Sequence, residues 1–283
     1  MKQQTFEKEF ELKGIGLHSG LENVMKIKPA KENTGIVFIQ NGEPLKALYS
    51  YVKDTQNCTC LKGQTAVVST IEHVMASLYA LGIDNACIEV LNPELPIMDG
   101  SARIILSELK KGGMKIQNAL RKILRVVKPV CFDDGKGNFV ELKPAKKKGL
   151  HIYFKIEFPS KIVGTQIFDG DIDFDIFEEQ IAPARTFCEK YQVDYLKSIG
   201  LIKGGSLDNA VVLDGETILN PGGFRVKNEC VNHKVLDLVG DLYTSGFFIE
   251  ADVEAYKTGH FHNNEVLKKL FENKDNYEIL QGE

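Results

Sequence analysis

The chain has 283 residues, enough for one large or two medium domains with real cores, and its 43% hydrophobic and 26% charged residues are those of a soluble globular protein. A formal charge of -4, with no basic tract beyond Lys146-Lys147-Lys148, argues against nucleic acid as a partner. No run approaches the ~20 apolar residues of a membrane span and Met1 to Glu7 carries no apolar leader, so a cytoplasmic protein with free thiols at its six cysteines is expected.

Thr5 to Leu12 alternates as a strand and breaks at Gly14 to Gly20, and further strands are expected at Asn23 to Lys28 and Gly35 to Gln40. Cys58-Thr59-Cys60 has the wrong spacing for a zinc knuckle and no second pair. A helix over Thr70 to Leu81 stops at Gly82 and leads to a strand at Ala86 to Leu91. Charge and glycine then replace the apolar pattern from Lys110 to Arg121, which marks a boundary between two α+β domains, 1–115 and 122–283. In the second, Phe139-Val140-Glu141-Leu142-Lys143-Pro144-Ala145 repeats the pattern of Val24-Met25-Lys26-Ile27-Lys28-Pro29-Ala30 and is again followed by a strand, Leu150 to Phe158. A helix beginning near Val231 leads to a strand at Gly246 to Ala255, in the same order as the first half. The expected fold is α+β: two similar sheet-plus-helix domains arising by internal duplication. The second half is lengthened by an insertion at about 186–225, which holds a helical stretch Glu189 to Ser198, a turn Lys203-Gly204-Gly205-Ser206 and a hairpin at Asp214-Gly215. It is either a specificity element beside a site or a surface lobe.

At about 100° per residue, His233, Lys234, Asp237 and Asp241 share one narrow sector of their helix, while Val235, Leu236, Leu238, Val239 and Leu242 fill the rest. So wide an apolar face belongs to a buried helix, and the polar stripe then lines a cleft. Two readings of the stripe stand: a partly buried ion-pair ladder, or an imidazole and a carboxylate one turn apart that offer two ligands to a divalent metal. In the first half, Ser69 and Glu72 fit a capping box, and His73 lies on an otherwise apolar helix. The repeat aligns this helix with the one carrying His233 and Asp237. Packing the halves face to face would bring His73, His233 and Asp237 together as a zinc site with an open position, with Glu72 beside it as a general base. Of the six histidines, His151 alternates within a strand, His18 sits in a glycine-rich turn that could line a site, and His262 has no clear role. His260 follows a strand end, and a contact with Asp241 would raise its pKa and suit it to protonate a leaving amine.

Six stretches, Ser69-Thr70-Ile71-Glu72-His73, Leu95-Pro96-Ile97-Met98-Asp99-Gly100-Ser101, Ala184-Arg185-Thr186-Phe187, Lys203-Gly204-Gly205-Ser206, His233-Lys234-x-x-Asp237-x-x-Gly240-Asp241-Leu242 and Lys257-Thr258-Gly259-His260-x-x-Asn263-Asn264, closely resemble the UDP-3-O-acyl-N-acetylglucosamine deacetylases, in the right order over nearly the whole chain. The resemblance implies a zinc-dependent amidohydrolase that performs the committed step of lipid A synthesis in Gram-negative bacteria, with Fe2+ also suited to the ligands. It implies His73, His233 and Asp237 as ligands, Glu72 as base, His260 as acid oriented by Asp241, and Thr186 as donor to the oxyanion. Lys234, Phe187, Gly205, His18 and Lys257 would meet the substrate, an amphipathic acylated UDP-sugar, and Cys58 would lie close to the metal. It further implies a two-domain sandwich whose inserted βαβ lobe forms an apolar passage for the acyl chain, and a monomer is expected. Asn232, where many relatives carry a basic residue, and Phe261-His262, in place of a smaller pair, depart from the family pattern and bear on substrate details.

Overall fold

Alternating burial builds the strands, and the helices that lie between the sheets are buried almost all round. The structure is a computed structural model that describes residues 1–282. The first half runs β1 (Lys2–Phe6), β2 (Phe10–Ile15), β3 (Glu22–Pro29), β4 (Ile36–Gln40), β5 (Glu43–Lys46), β6 (Val52–Asp54), β7 (Cys60–Lys62), β8 (Val67–Ser69), α1 (Glu72–Ala80), β9 (Ala86–Val90), α2 (Arg103–Lys110) and β10 (Met114–Leu120). The second runs β11 (Lys122–Val126), β12 (Val130–Asp133), β13 (Phe139–Lys143), β14 (Leu150–Glu157), β15 (Thr165–Asp171), the short α3 (Phe174–Ile176), β16 (Phe187–Glu189), α4 (Lys190–Ser198), β17 (Val211–Asp214), β18 (Thr217–Ile218), α5 (Glu229–Tyr243), β19 (Phe248–Tyr256), α6 (His260–Glu272) and β20 (Tyr277–Gln281).

One sheet has the order β2-β3-β9-β4-β5, with only β4 and β9 parallel. In the other, β12, β13, β19, β14 and β15 pair in the same order and directions, again with one parallel pair, β14 and β19. The nine-residue β19 also pairs through Phe248–Glu250 with β11, which carries β20 on its far side. This shared order gives the expected repeat a topological form. The insertion is a βαβ lobe in which β16 and β17 run parallel on either side of α4 and β18 closes the hairpin.

Packing follows from the periodicities. Every second residue of β14 (Leu150, Ile152, Phe154, Ile156) is buried, and β3 likewise turns Met25 and Ile27 inward. All of α5 except Lys234 is buried, as its wide apolar face requires, and it packs on α1, β14, β15 and β19. A single core joins the halves: Met25, Phe38 and Met75 belong to the same cluster as Val235, Leu238 and Phe154. Each such side chain contributes ~1.5–3 kcal/mol when removed from water.

The structure corrects two local expectations and adds an element within a third stretch. Thr5 to Leu12 is two strands in different sheets, because Glu7-Lys8-Glu9 would place charge in the core and the chain bends there, leaving the buried Phe6 and the Phe10 ring edge to face at 5.2 Å. Ser69 caps nothing: it ends β8, the residue preceding α1 is Ile71 with no side-chain cap, and Glu72 is the first helical residue. In the Lys110 to Arg121 stretch, Lys111–Gly113 and Arg121 lie outside regular elements. From Met114 it forms β10 against β1, a two-stranded ribbon that leaves Met114, Ile116 and Leu120 exposed and therefore lacks the apolar alternation of a half-buried strand. No helix among the described residues is long and apolar enough to cross a membrane.

Candidate active site

The site forms where α1 crosses α5, and the crossing is close because of one glycine. A Cβ on Gly240 would lie 2.1 Å from the Glu72 carbonyl oxygen, so only glycine lets the first turn of α1 rest on α5. That contact places Glu72 and His73 opposite the polar stripe of α5. The approach to α1 is itself unusual: Thr70, β-branched, holds a left-handed φ of 60°, which turns the chain sharply from β8 into the helix.

His73, His233 and Asp237 come together, each buried, with one potential ligand atom apiece, all within 4.8 Å of one another. Asp237 Oδ1 lies 3.8 Å from His73 Nε2 and 3.5 Å from His233 Nε2. These separations are long for hydrogen bonds and near the ~3.4 Å expected between ligands placed tetrahedrally about one zinc ion. The His233 Nδ1–H donates to the Ala184 carbonyl at 3.1 Å, leaving Nε2 as the free lone pair that a metal needs. Burial, and after it the neighbouring His233, hold the His73 pKa down at about 3, so this imidazole is neutral. Burial lowers that of His233 as well, and the histidines and Lys234 around Asp237 outweigh its burial and hold it ionised. Two neutral imidazoles and a carboxylate are a fit donor set for Zn2+ or Fe2+.

Ala184 owes its place to a buried ion pair. Arg185 donates through Nε (2.8 Å) and its backbone N–H (2.9 Å) to Glu229 Oε1 in the first turn of α5, and Arg225 N–H donates to the other oxygen at 2.6 Å. The same chain direction carries Thr186 and Phe187 toward the site, and the Thr186 N–H donates to Gly100 O at 2.7 Å. Gly100 is required there, since a Cβ would meet Asn209 O at 1.9 Å.

On the opposite flank, His260 Nδ1 bonds Asp241 Oδ2 at 2.8 Å, as expected from the sequence. Asn263 Nδ2 donates to the same oxygen at 2.9 Å, and Thr59 Oγ donates to Oδ1 at 2.5 Å. Burial works to lower the His260 pKa, but Asp241 and Glu72 override it and raise it to about 10, so the ring is an imidazolium at neutral pH. Glu72 Oε2 accepts the Thr59 N–H at 3.0 Å; burial raises its pKa to about 7 against the opposing pull of His260. The two groups thus sit in opposed environments, a carboxyl whose pKa is raised by burial and an imidazolium held by another carboxylate. Thr59 and Asn263 escaped the sequence reading. Asn263 stood within a quoted motif, but nothing local marks Thr59.

These groups open into a cavity of about 490 Å³ lined by Glu72, His73, His233, Lys234, Asp237 and His260 at one end. Thr186, Phe187, Gly205 and His18 also line it, and it continues between Val193, Leu196, Leu207 and Leu219 of the lobe. The lobe is closed over it by backbone bonds from Gly204 N–H to Leu17 O (3.0 Å) and from Lys203 N–H to His18 O (3.2 Å). Glu94 fixes that turn by accepting the His18 and Ser19 N–H groups, each at 2.7 Å. Lys234 Nζ reaches Asp237 Oδ2 at 2.9 Å. Lys257 is not among the lining residues: its ammonium pairs with Glu157 at 3.2 Å and lies over the Tyr256 ring. Cys58 is buried without lining the cavity, and burial pushes its thiol pKa far up. Asn232 Nδ2 donates to Gln180 O at 3.1 Å and Lys227 O at 3.2 Å, and His262 Nε2 meets Asp134 at 3.3 Å beside Phe132 and Phe261.

Comparison with known proteins bears on what this arrangement is for. The profile of the UDP-3-O-acyl N-acetylglycosamine deacetylase family matches residues 3–272. The chain is 42% identical over 290 aligned residues to the UDP-3-O-acyl-N-acetylglucosamine deacetylase of Histophilus somni, covering 100% of this chain and 94% of the relative. It is 41% identical to the enzymes of the same name from Pasteurella multocida (99% and 93% covered) and Shewanella oneidensis (99% and 93% covered). With His73, His233 and Asp237 gathered at one point, and a family profile and relatives that match the chain over nearly its whole length, the protein is a member of the UDP-3-O-acyl-N-acetylglucosamine deacetylase family.

Proposed function

We propose that this chain hydrolyses the acetamide of a UDP-3-O-acyl-N-acetylglucosamine, releasing acetate and the free amine, the committed step of lipid A synthesis. The observation that carries the reading is the meeting of His73, His233 and Asp237 with Glu72 and the His260–Asp241 pair on a cavity that also takes in Val193, Leu196, Leu207 and Leu219 of the lobe. On this reading residues 1–115 supply the base and one ligand, and residues 122–283 supply two ligands, the acid and the passage, in a cytoplasmic monomer.

His73, His233 and Asp237 would hold Zn2+ or Fe2+, which when bound polarises the acetamide carbonyl and makes water a better nucleophile. Glu72 takes the proton of the attacking water, a role its raised pKa suits. The Thr186 hydroxyl donates to the oxygen that gains charge as the carbon becomes tetrahedral. His260, protonated and held through Nδ1 by Asp241, gives the proton on its other nitrogen to the departing amine. Lys234 faces the cavity where the sugar and phosphates would enter, with His18 at the turn above; Phe187 and Gly205 border the route to the lobe, and the apolar side chains beyond them take the acyl chain. Lys257 would reach the substrate only by leaving Glu157.

The test is metal content by elemental analysis together with acetate release from UDP-N-acetylglucosamine with and without a 3-O-acyl chain. The expected result is about one Zn2+ or Fe2+ per chain and turnover that depends on the acyl chain. Equal turnover of the unacylated sugar would assign a broader amidohydrolase, and nucleotide-sugar binding without acetate release would remove the enzymatic reading altogether.

A further inference from the structure

The loop Asn57–Cys60 crosses between the proposed base and the proposed acid, and Thr59 touches both. Its backbone N–H donates to Glu72 Oε2 at 3.0 Å, and its side-chain hydroxyl donates to Asp241 Oδ1 at 2.5 Å, from a position 182 residues away in sequence. Its carbonyl accepts the Ile71 N–H at 3.4 Å, tying the loop to the residue that precedes α1. Thr59 is 2% exposed, Glu72 and Asp241 each 3%. Asp241 Oδ2 already serves two donors, His260 and Asn263, so the hydroxyl of Thr59 is what Oδ1 has among the described residues. A carboxylate gripped on both oxygens cannot turn about its last torsion. One that loses the donor on Oδ1 can turn, and turning moves Oδ2 away from His260. A buried acceptor left without its donor also costs about 1–3 kcal/mol, which favours such a rotation.

We propose that Thr59 is a positioning residue of the reaction: through one residue, and across the junction of the two halves, it sets the spacing of Glu72 and the Asp241–His260 pair on either side of the scissile amide. The inference rests on the deacetylase reading above. General acid–base catalysis needs donor and acceptor at hydrogen-bond reach of the reacting atoms, and misplacement by about 1 Å can cost ~100-fold. Thr59 does not line the cavity and bonds Glu72, Asp241 and Ile71 but none of His73, His233 and Asp237, so its effect belongs in kcat and not in KM or metal content.

Four variants decide the matter, with kcat, KM, metal content and Tm measured for each. Thr59→Val keeps shape and the N–H to Glu72 but deletes the hydroxyl. Its kcat should fall about 10- to 100-fold with KM and metal content within about twofold of wild type. Thr59→Ser restores the donor and should recover most of kcat. Asp241→Ala should be slow on its own, and Thr59→Val added to it should cost little more, because the hydroxyl acts through that carboxylate. Thr59→Ala replaces Thr59→Val in the comparison with serine if the valine protein does not fold. Wild-type kcat in Thr59→Val, a serine variant no faster than valine, or losses that multiply in the double variant would each overturn the inference while leaving the deacetylase reading intact. Full kcat in Asp241→Ala would instead remove the acid assignment itself, and the inference with it.

Discussion

The helices α1 and α5 precede equivalent strands of two sheets of the same order, yet they bring their chemistry to the site in different ways. In the 15-residue α5 the polar groups stand in mid-helix as a stripe, His233, Lys234, Asp237 and Asp241, directed by helical periodicity. In the nine-residue α1 they sit in the first turn, Glu72 and His73, aimed by what precedes the helix: a left-handed Thr70 and the amide of Thr59. A stripe in a long helix needs only the helix to be correctly placed. A pair at a helix start also needs its loops, so the α1 side of the site is the more easily disturbed by changes outside the helix.

The two helices also divide the work proposed for them, with the proton-handling base on α1 and most of the metal grip on α5. The comparison breaks most visibly in Glu72→Gln, for which turnover should fall about 100- to 10,000-fold while elemental analysis shows metal retained. Asp237→Ala should do the reverse, losing metal on dialysis against chelator; metal retained at wild-type level would remove Asp237 from the ligand set. Thr186→Val, in the loop that Arg185 and Glu229 pin to the start of α5, should lower kcat about 100-fold with KM little changed, the size of a lost oxyanion donor.

Smaller effects sharpen the comparison at the junction. A methyl group at Gly240 has backbone in its way, so Gly240→Ala must push α1 off α5, costing about 1–3 kcal/mol by thermal unfolding and lowering kcat as well; an unshifted Tm would mean the helices can slide past one another freely. His260 supplies a pH test with a definite sign. Its pKa is raised to about 10, so the acid form persists through neutrality and kcat should fall only as pH climbs toward 10. Asp241→Asn removes the largest of the carboxylate effects that override burial, so the alkaline limb should move down from about 10 toward the ordinary imidazole value of about 6.5. A limb that stays in place in the asparagine variant would mean another group sets it.

Several features could be read before any coordinates. The wide apolar face of α5 announced a buried helix, the Asp214-Gly215 turn announced its hairpin, and the repeated Val24–Ala30 pattern led to strands that do occupy equivalent places in two sheets. The reading failed where local signals conflict with distant partners. Ser69 and Glu72 have the spacing of a capping box, but Glu72 accepts from Thr59, and a carboxylate can satisfy only the donors it is turned toward. Within Lys110 to Arg121, β10 shows no apolar alternation because it has one exposed face and a single partner strand, β1, from the far end of the half.

By itself, the sequence determined which side chains share a helix face and that the α1 and α5 helices each lead into a strand, because those follow from periods of 3.6 and 2 residues that act along the chain. It also determined that His233, Asp237 and Asp241 would point one way. The tertiary structure alone decided that His73 would meet them, that Gly240 would let Glu72 come within reach, and that Thr59 would bind Asp241. Those contacts join residues far apart in sequence through single atoms. Their energy depends on distances of a few tenths of an ångström, and no periodicity records such distances.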